Sequence, residues 1–195
     1  INVHTRPGDE VILHNQAHIY VYEGGGIMAN SGASVRLLGS PDGLISAADV
    51  EASINPDDIH AARSRLVALE NTNNRCGGTC FDFTAIEAIG AITKRHQLGF
   101  HLDGARLFNA LAETEQTARD YGASFDSISI CLSKGLGCPV GSLLLGNRDF
   151  IHEARRIRKR FGGGWRQAGF LAAAGIYALD NHVERLSEDH AKARK

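Results

Sequence analysis

The stretch Ser127-Ile-Ser-Ile-Cys-Leu-Ser-Lys-Gly-Leu-Gly137 runs from an apolar segment into two glycines. Its residues predict a buried strand over 125–132, and Lys134 follows where that strand ends. The amine of such a lysine can be desolvated and can attack a carbonyl group, and pyridoxal phosphate is the carbonyl cofactor most often bound there. We expect Gly135 and Gly137 to leave room for a large group beside the lysine. An ordinary loop lysine is an equally compatible interpretation.

A second motif, Gly99-Phe-His-Leu-Asp-Gly-Ala-Arg-Leu-Phe-Asn109, predicts a short strand that ends at Asp103 and a glycine turn into a helix. An aspartate at the carboxyl end of a strand lies where ligands bind in open α/β sheets. A buried carboxylate there would keep the ring nitrogen of pyridoxal phosphate protonated. Arg106, in the first helical turn, could reach the phenolic oxygen of that cofactor or a substrate carboxylate. The alternative role for Asp103 is to cap the helix.

The order of strand-like and helical patterns predicts the fold class. Six strand-like runs lie at Glu10–His14, Ser34–Leu38, Arg65–Leu69, Gly99–Leu102, Phe125–Leu132 and Val140–Leu145. Helical patterns separate most of them, which predicts an α/β fold with a mostly parallel mixed sheet and helices on both faces. The last two runs are joined by a short turn. We therefore expect them to be antiparallel, because a parallel crossover needs about a dozen residues.

Local signals predict where several helices begin and end. Thr84-x-x-Glu87 resembles a capping box, and isoleucines at 86, 89 and 92 follow at helical spacing. Further helices are predicted over Ala47–Ile54, Asp149–Arg160, Arg166–Asp180 and Asn181–Lys195. The basic run Arg155–Arg160 is expected to form mostly a solvated helix face.

The composition indicates a cytoplasmic protein in a reducing compartment, without a nucleic-acid or membrane partner. The formal net charge is −1 and acidic and basic residues are interspersed. Cys76 and Cys80 are four residues apart, and Cys131 and Cys138 flank Lys134. This spacing fits zinc sites poorly, so we expect no metal site, and Cys131 should behave as a small buried hydrophobe.

Together, these motifs resemble the threonine aldolases, which are pyridoxal phosphate enzymes of fold type I in the β-eliminating lyase superfamily. The resemblance implies that Lys134 holds pyridoxal 5'-phosphate and that His18 stacks on its ring and takes a proton. It further implies that Asp103, Arg106 and Arg166 contact the cofactor. The segments that carry the resemblance are 17–26, 69–75, 101–110, 131–142, 162–169 and 172–179.

The implied activity is the cleavage of L-threonine and L-allo-threonine to glycine and acetaldehyde, in a homo-oligomer that is a dimer or tetramer. Arg106, Asn73 and Lys159 are the implied substrate-binding residues. Asn73 departs from the histidine that many relatives have there, and an amide cannot act as a general base near neutral pH. Two alternatives stay open: another reaction on the same cofactor, such as β-elimination or racemisation, and an assembly module without cofactor.

The length of 195 residues is short for this family. The resemblance therefore implies that residues 1–195 are the central part of a fold type I cofactor-binding large domain. A glycine- and threonine-containing phosphate-binding segment would precede them, and a small C-terminal domain would follow. A miniature relative that is complete in itself is the alternative.

Overall fold

The computed structural model describes residues 1–195 and contains one six-stranded sheet with nine helices. The strands are β1 Asp9–His14, β2 Ser34–Leu38, β3 Arg63–Glu70, β4 Gly99–Asp103, β5 Ser127–Cys131 and β6 Ser142–Gly146. The helices are α1 His18–Val21, α2 Gly26–Ser31, α3 Ala47–Ser53, α4 Phe83–Arg95, α5 Leu107–Leu111, α6 Ala118–Ser124, α7 Arg148–Arg160, α8 Gly169–Asn181 and α9 Leu186–Ala193.

The sheet has the order β2-β1-β3-β4-β5-β6. The first five strands in this order are parallel, and β6 is antiparallel to β5. The predicted α/β class, the mostly parallel mixed sheet and the antiparallel last pair are confirmed. Because the five parallel strands run the same way, their carboxyl ends meet at one edge of the sheet.

The two faces of the sheet are covered by different helices. Alternate residues of β3, Val67 and Leu69, pack into the larger apolar cluster with side chains of α3, α4, α5 and α6, and we call this the first face. Their neighbours Leu66 and Ala68 pack against Ile27 of α2 on the second face. Helices therefore lie on both faces, as predicted, and each strand residue can be assigned to a face by its position.

The second face becomes polar along β4 and β5. Leu102 and Ile128 belong to the first-face cluster, so His101, Asp103 and Ser127 point to the second face. Near the amino end of β5, the Ser127 hydroxyl lies 2.8 Å from Nδ1 of His101 and 2.7 Å from Nε2 of His4. Burial lowers the pKa of His101 to about 3 and that of His4 to about 4.

Several predicted helix boundaries were wrong. Thr84-x-x-Glu87 is not the capping box of α4, because Asp82 is the N-cap and its side chain accepts a hydrogen bond from the Thr84 amide. The box that does form joins Thr117 and Asp120 at α6. The isoleucines at 86, 89 and 92 are buried, as their helical spacing predicted.

The C-terminal helices also differ from the prediction. Helix α8 begins at Gly169 rather than at Arg166, and the predicted helix over 181–195 is interrupted before α9. Ala178 of α8 packs with Leu132 and Leu136 in a third, smaller cluster, which anchors these helices next to the end of β5. None of the nine helices has the length and apolar character needed to cross a membrane.

Candidate active site

Two carboxylates meet at the carboxyl edge of the sheet. Glu70 ends β3, Asp103 ends β4, and the two residues are direct partners in the parallel register. Each follows a first-face leucine, so both side chains point to the second face. Each residue is only 7% exposed. Two buried carboxylates on one face form a strongly anionic position, which favours a cationic partner.

The environment of Asp103 raises the pKa of its carboxyl group. Burial is the main cause, and the neighbouring Glu70 carboxylate raises the pKa further. A hydrogen bond from the Ala105 amide and the electrostatic influence of His18 and Lys134 act in the opposite direction and lower the pKa of Asp103. Glu70, Asp103 and the start of α1 at His18 are thus neighbours at this edge, and Lys134 follows β5, the strand next to the one that ends at Asp103.

His18 is fixed to this site through its main chain. It is the first residue of α1, and its backbone N–H donates to Oε2 of Glu70 at 2.8 Å. The imidazole is 35% exposed, with Nδ1 at 3.2 Å from Oε1 of Glu23. The ring centroid also lies 5.2 Å from that of Tyr22. The ring is thus positioned at the edge and is accessible to a ligand.

Lys134 lies in a tight turn after β5. The turn is closed by a hydrogen bond from the Gly137 amide to the Lys134 carbonyl at 2.9 Å, and Gly137 has a φ of +72° that favours glycine. The Lys134 residue is half-buried. The turn is braced by Leu136, which is buried and whose carbonyl lies 2.7 Å from Nδ1 of His182. The lysine is therefore held in a defined turn after β5, the strand that pairs with β4 and its terminal Asp103.

The surroundings of Gly135 differ from the expected open space. A Cβ at Gly135 would lie 2.9 Å from Leu186 and 3.0 Å from Asn109, and one at Gly137 would contact His182. Leu186 and Asn109 fill the space in which a side chain at Gly135 would lie, whereas Gly137 is exposed and a Cβ there would lie at ordinary van der Waals distance from His182. Gly135 thus permits the close approach of α9 to the lysine turn.

Arg106 precedes α5 and is not in its first turn. It is the N-cap residue, without a side-chain capping bond, and it is half-buried. Asp103 does not occupy the capping position; its Oδ1 accepts from the Ala105 amide at 3.2 Å, which supports the turn before the helix. Arg106 lines a cavity of about 340 Å³ together with Thr72 and Asn109, and none of Glu70, Asp103, His18 and Lys134 lines that cavity. The predicted contact of Arg106 with cofactor or substrate therefore stays a prediction.

The two asparagines after β3 do not join the carboxylates. Asn71 points to the first face, where its amide donates to the Tyr121 hydroxyl at 2.9 Å and its Oδ1 accepts from the Phe81 amide. Asn73 is fully buried. The structure therefore does not bring the Asn73 side chain to the cluster, and its predicted contact with a substrate hydroxyl stays a prediction.

The side-chain amide of Asn73 forms hydrogen bonds with its own loop and with the loop that contains Gly43. Oδ1 accepts from the Cys76 amide at 3.1 Å, and Nδ2 donates to the Gly43 carbonyl at 3.4 Å. Packing is so close that a Cβ at Gly43 would lie 2.7 Å from Cγ of Asn73. A side chain at position 43 is therefore excluded by Asn73.

Lys159 and Arg166 are exposed and form no hydrogen bond or ion pair with the carboxylates. The Lys159 ammonium lies against Gly164, where a Cβ would be 3.0 Å away. Their predicted roles toward substrate and cofactor stay predictions. The rest of the basic helix α7 has no buried residue, which agrees with a solvated face.

The cysteines are free thiols and do not cluster. Cys131 is half-buried on the second face, where its Sγ lies 3.7 Å from the Ser142 hydroxyl, so the expectation of a fully buried thiol was wrong at this position. Cys138 is the buried thiol, and its Sγ lies 3.5 Å from the Ala174 carbonyl. No group of three or more histidine, cysteine, aspartate or glutamate side chains is arranged to hold a metal ion.

Comparison with known protein families identifies the family to which the chain belongs. The family model described as beta-eliminating lyase matches residues 1–195, which is the entire sequence. The chain belongs to the β-eliminating lyase family. The superfamily membership predicted from the sequence motifs is thereby confirmed.

Among members of this family, the chain is similar to curated threonine aldolases. It is 45% identical over 191 residues to the low specificity L-threonine aldolase of Escherichia coli K12, covering 97% of this chain and 56% of that protein. It is 42% identical over 190 residues to the probable low-specificity L-threonine aldolase 2 of Arabidopsis thaliana, covering 96% and 54%. The chain spans about half the length of the curated relatives it matches.

Solved structures show the same relationship. The Leishmania major threonine aldolase superimposes with a TM-score of 0.87 at 27% identity, covering 99% of this β-eliminating lyase chain and 57% of that one. The aspartate aminotransferase of Thermus thermophilus superimposes with a TM-score of 0.75 at 17% identity over 99% of this chain and 50% of that one, which is a likeness of fold alone. The fold is that of fold type I enzymes, as predicted.

Proposed function

We propose that the protein containing this chain is a pyridoxal-phosphate-dependent carbon–carbon lyase that cleaves L-threonine and L-allo-threonine to glycine and acetaldehyde. The observation that carries the proposal is the buried Asp103 carboxylate, paired in register with Glu70 at the edge that also holds His18 and Lys134. The identity with low-specificity L-threonine aldolases supports the substrate class.

The residues at this edge fit pyridoxal phosphate. The cofactor's protonated ring nitrogen is the kind of cation that the buried carboxylate of Asp103 favours, because a paired charge offsets the cost of burying that group. Lys134 offers a primary amine for the aldehyde, and the exposed His18 imidazole offers a ring to stack against. When bound, pyridoxal phosphate withdraws electrons from the amino acid's Cα and so weakens the bonds to that carbon.

The side chains then have separate tasks in the reaction. Arg106, beside its cavity, pairs with the substrate carboxylate or the cofactor's phenolic oxygen and orients the amino acid. His18, or a water molecule that it orders, takes the proton from the β-hydroxyl. Loss of that proton breaks the Cα–Cβ bond and releases acetaldehyde. A proton then returns to Cα, and glycine is formed.

The domain arrangement belongs to the same proposal. Residues 1–195 supply the central part of the large domain, while the phosphate-binding segment and the small C-terminal domain lie in other parts of the protein. The partial coverage of the relatives supports this arrangement. Apolar side chains such as Leu144 on β6 (40% exposed) and Phe170 on α8 (91% exposed) also favour further covering contacts. A homo-oligomer, either dimer or tetramer, is the proposed assembly.

Product analysis tests the function. The full-length protein, loaded with pyridoxal phosphate, is given L-threonine and then L-allo-threonine. Acetaldehyde and glycine in equal amounts are the expected products. Ammonia together with a keto acid would instead identify an eliminating lyase, and conversion of the substrate to its epimer at Cα would identify a racemase. The Lys134→Ala variant provides the control for reaction on free cofactor.

A further inference from the structure

We propose that Glu70 is a positioning residue that holds His18 and the loop after β3 in place relative to Asp103. This inference rests on the proposed function and concerns the same site. Glu70 Oε2 accepts from the His18 backbone amide at 2.8 Å, and Oε1 accepts from the Asn74 backbone amide at 3.0 Å. One buried carboxylate thus joins two segments that follow different strands.

The helix that carries His18 depends on this contact. Its N-cap is Ala17, which has no side-chain acceptor, so the first amide of α1 lacks a local capping partner. Glu70, 52 residues away in sequence, supplies the acceptor. Because an ionised acceptor makes a stronger hydrogen bond than a neutral one, the carboxylate fixes the start of α1, and with it the origin of the His18 side chain.

Both oxygens of Glu70 are required for this arrangement. Each oxygen accepts from a different main-chain amide, and a glutamine offers only one acceptor oxygen. A Glu70→Gln substitution must therefore leave the His18 or the Asn74 amide without its partner. An aspartate keeps two acceptor oxygens and the negative charge on a stem that is one methylene shorter.

The charge of Glu70 has a second effect at this position. Glu70 is the register partner of Asp103, and its carboxylate adds to the effect of burial in raising the pKa of Asp103. The same negative charge stabilises a proton on any cationic group bound between them. Neutralising Glu70 should therefore move the deprotonation of a bound ring nitrogen to lower pH.

The experiment compares Glu70→Gln and Glu70→Asp in the full-length, cofactor-loaded protein. Glu87→Gln is the matched control, because Glu87 is an exposed glutamate on α4 that forms no side-chain hydrogen bond or ion pair. Three quantities are measured: amide hydrogen exchange in the segments 17–22 and 72–75, the pH midpoint of the bound cofactor's absorbance, and kcat and KM separately. Thermal unfolding of each variant reports on folding.

We expect Glu70→Gln to speed exchange in one of the two segments about tenfold or more, to lower the pH midpoint, and to reduce kcat about tenfold with a smaller change in KM. Glu70→Asp keeps the charge but withdraws the carboxylate by one methylene, so it should restore the pH midpoint but not the exchange protection of both segments. Glu87→Gln should match the wild type in all three. Exchange, midpoint and kcat all unchanged in Glu70→Gln would overturn the inference, as would a lowered pH midpoint that Glu70→Asp does not restore.

The hydrogen-exchange measurement distinguishes a failure of this inference from a failure of the proposed function. If the full-length protein binds no cofactor and has no activity on threonine, the proposed function fails. The tethering of residues 17–22 and 72–75 by Glu70 can still be measured in that case. If the enzyme is active but Glu70→Gln leaves exchange and midpoint unchanged, only the role of Glu70 fails.

Discussion

Glu70 and Asp103 lie opposite each other at the carboxyl ends of neighbouring parallel strands, and both carboxylates are buried on the same face. Such a pair is costly to ionise fully, because burial and mutual repulsion both disfavour the charged forms. The raised pKa of Asp103 reflects both costs. The pair is therefore suited to holding a proton or a cation, which is the property on which the proposed cofactor site depends.

Asp103→Asn should impair catalysis far more than folding. The amide has nearly the shape of the carboxylate and can still accept the hydrogen bond from Ala105, so packing is preserved. Without the negative charge, the cofactor ring nitrogen should lose its proton more readily, and the electron-withdrawing power should fall. We expect a decrease in kcat on the order of a hundredfold, equivalent to roughly 2.7 kcal/mol. Steady-state kinetics and thermal unfolding measure the two effects.

The same substitution has a consequence for the pH dependence of stability. A carboxyl group whose pKa is raised in the folded state disfavours folding once the pH rises above its unfolded value. Asp103→Asn should remove this loss of stability above about pH 4 in the protein without cofactor. For the catalytic prediction, near-normal turnover in Asp103→Asn would show that Asp103 only supports the turn to Arg106.

Acid should destabilise the protein through His101. Its pKa is lowered to about 3 by burial, whereas the unfolded chain titrates near 6.5. The unfolded state therefore binds more protons below pH 6.5, and stability is lost as the pH falls toward 3. For this residue alone we expect the free energy of unfolding to be about 2 kcal/mol lower at about pH 5 than at about pH 7.5.

Denaturant titrations of wild type and His101→Gln at several pH values measure this contribution. The variant should show a shallower loss of stability with acid, because the group that takes up the proton on unfolding is gone. His152→Gln is the control, since His152 is exposed on α7. Equal acid sensitivity in His101→Gln and wild type would contradict the burial-based explanation.

Asn73 should contribute mainly to the stability of its loop. Asn73→Ala removes acceptor and donor from the buried bonds to Cys76 and Gly43, and we expect a loss of roughly 2 kcal/mol in the free energy of unfolding. The ratio of rates on L-threonine and L-allo-threonine should stay within about twofold of wild type. Asn74→Ala, at an exposed side chain of the same loop, is the control. A changed epimer ratio in Asn73→Ala would instead favour substrate contact.

The sequence was sufficient to predict the sheet and the convergence of its carboxyl ends. All six strands form near their predicted bounds. Helical patterns between the first five indicated parallel pairing, and the short turn before β6 indicated an antiparallel pair. Asp103 and Lys134 were expected at the ends of two of these strands, and the structure has Asp103 as the last residue of β4 and Lys134 just after β5. These features depend on residue type and spacing alone.

Other features depend on main-chain partners and on packing, which leave little trace in the sequence. The bond from the His18 amide to Glu70 is one example, since any residue at position 18 other than proline has that amide. The direction of Asn73 is another, because its side chain is turned inward by contacts with Gly43, a residue 30 positions earlier. Likewise, Gly135 beside Lys134 indicated open space, but Leu186 of α9, which is distant in sequence, fills it.

Reduction of the full-length, cofactor-loaded protein with borohydride, followed by peptide mapping, tests the central claim most directly. Borohydride makes the bond between a lysine amine and the cofactor aldehyde permanent. We predict that the label is found on the peptide containing Lys134 and that Lys134→Ala leaves the protein unlabelled, with no absorbance from bound cofactor. A label on another lysine, such as Lys94 or Lys159, or full labelling of Lys134→Ala, would contradict the assignment of this edge as the active site.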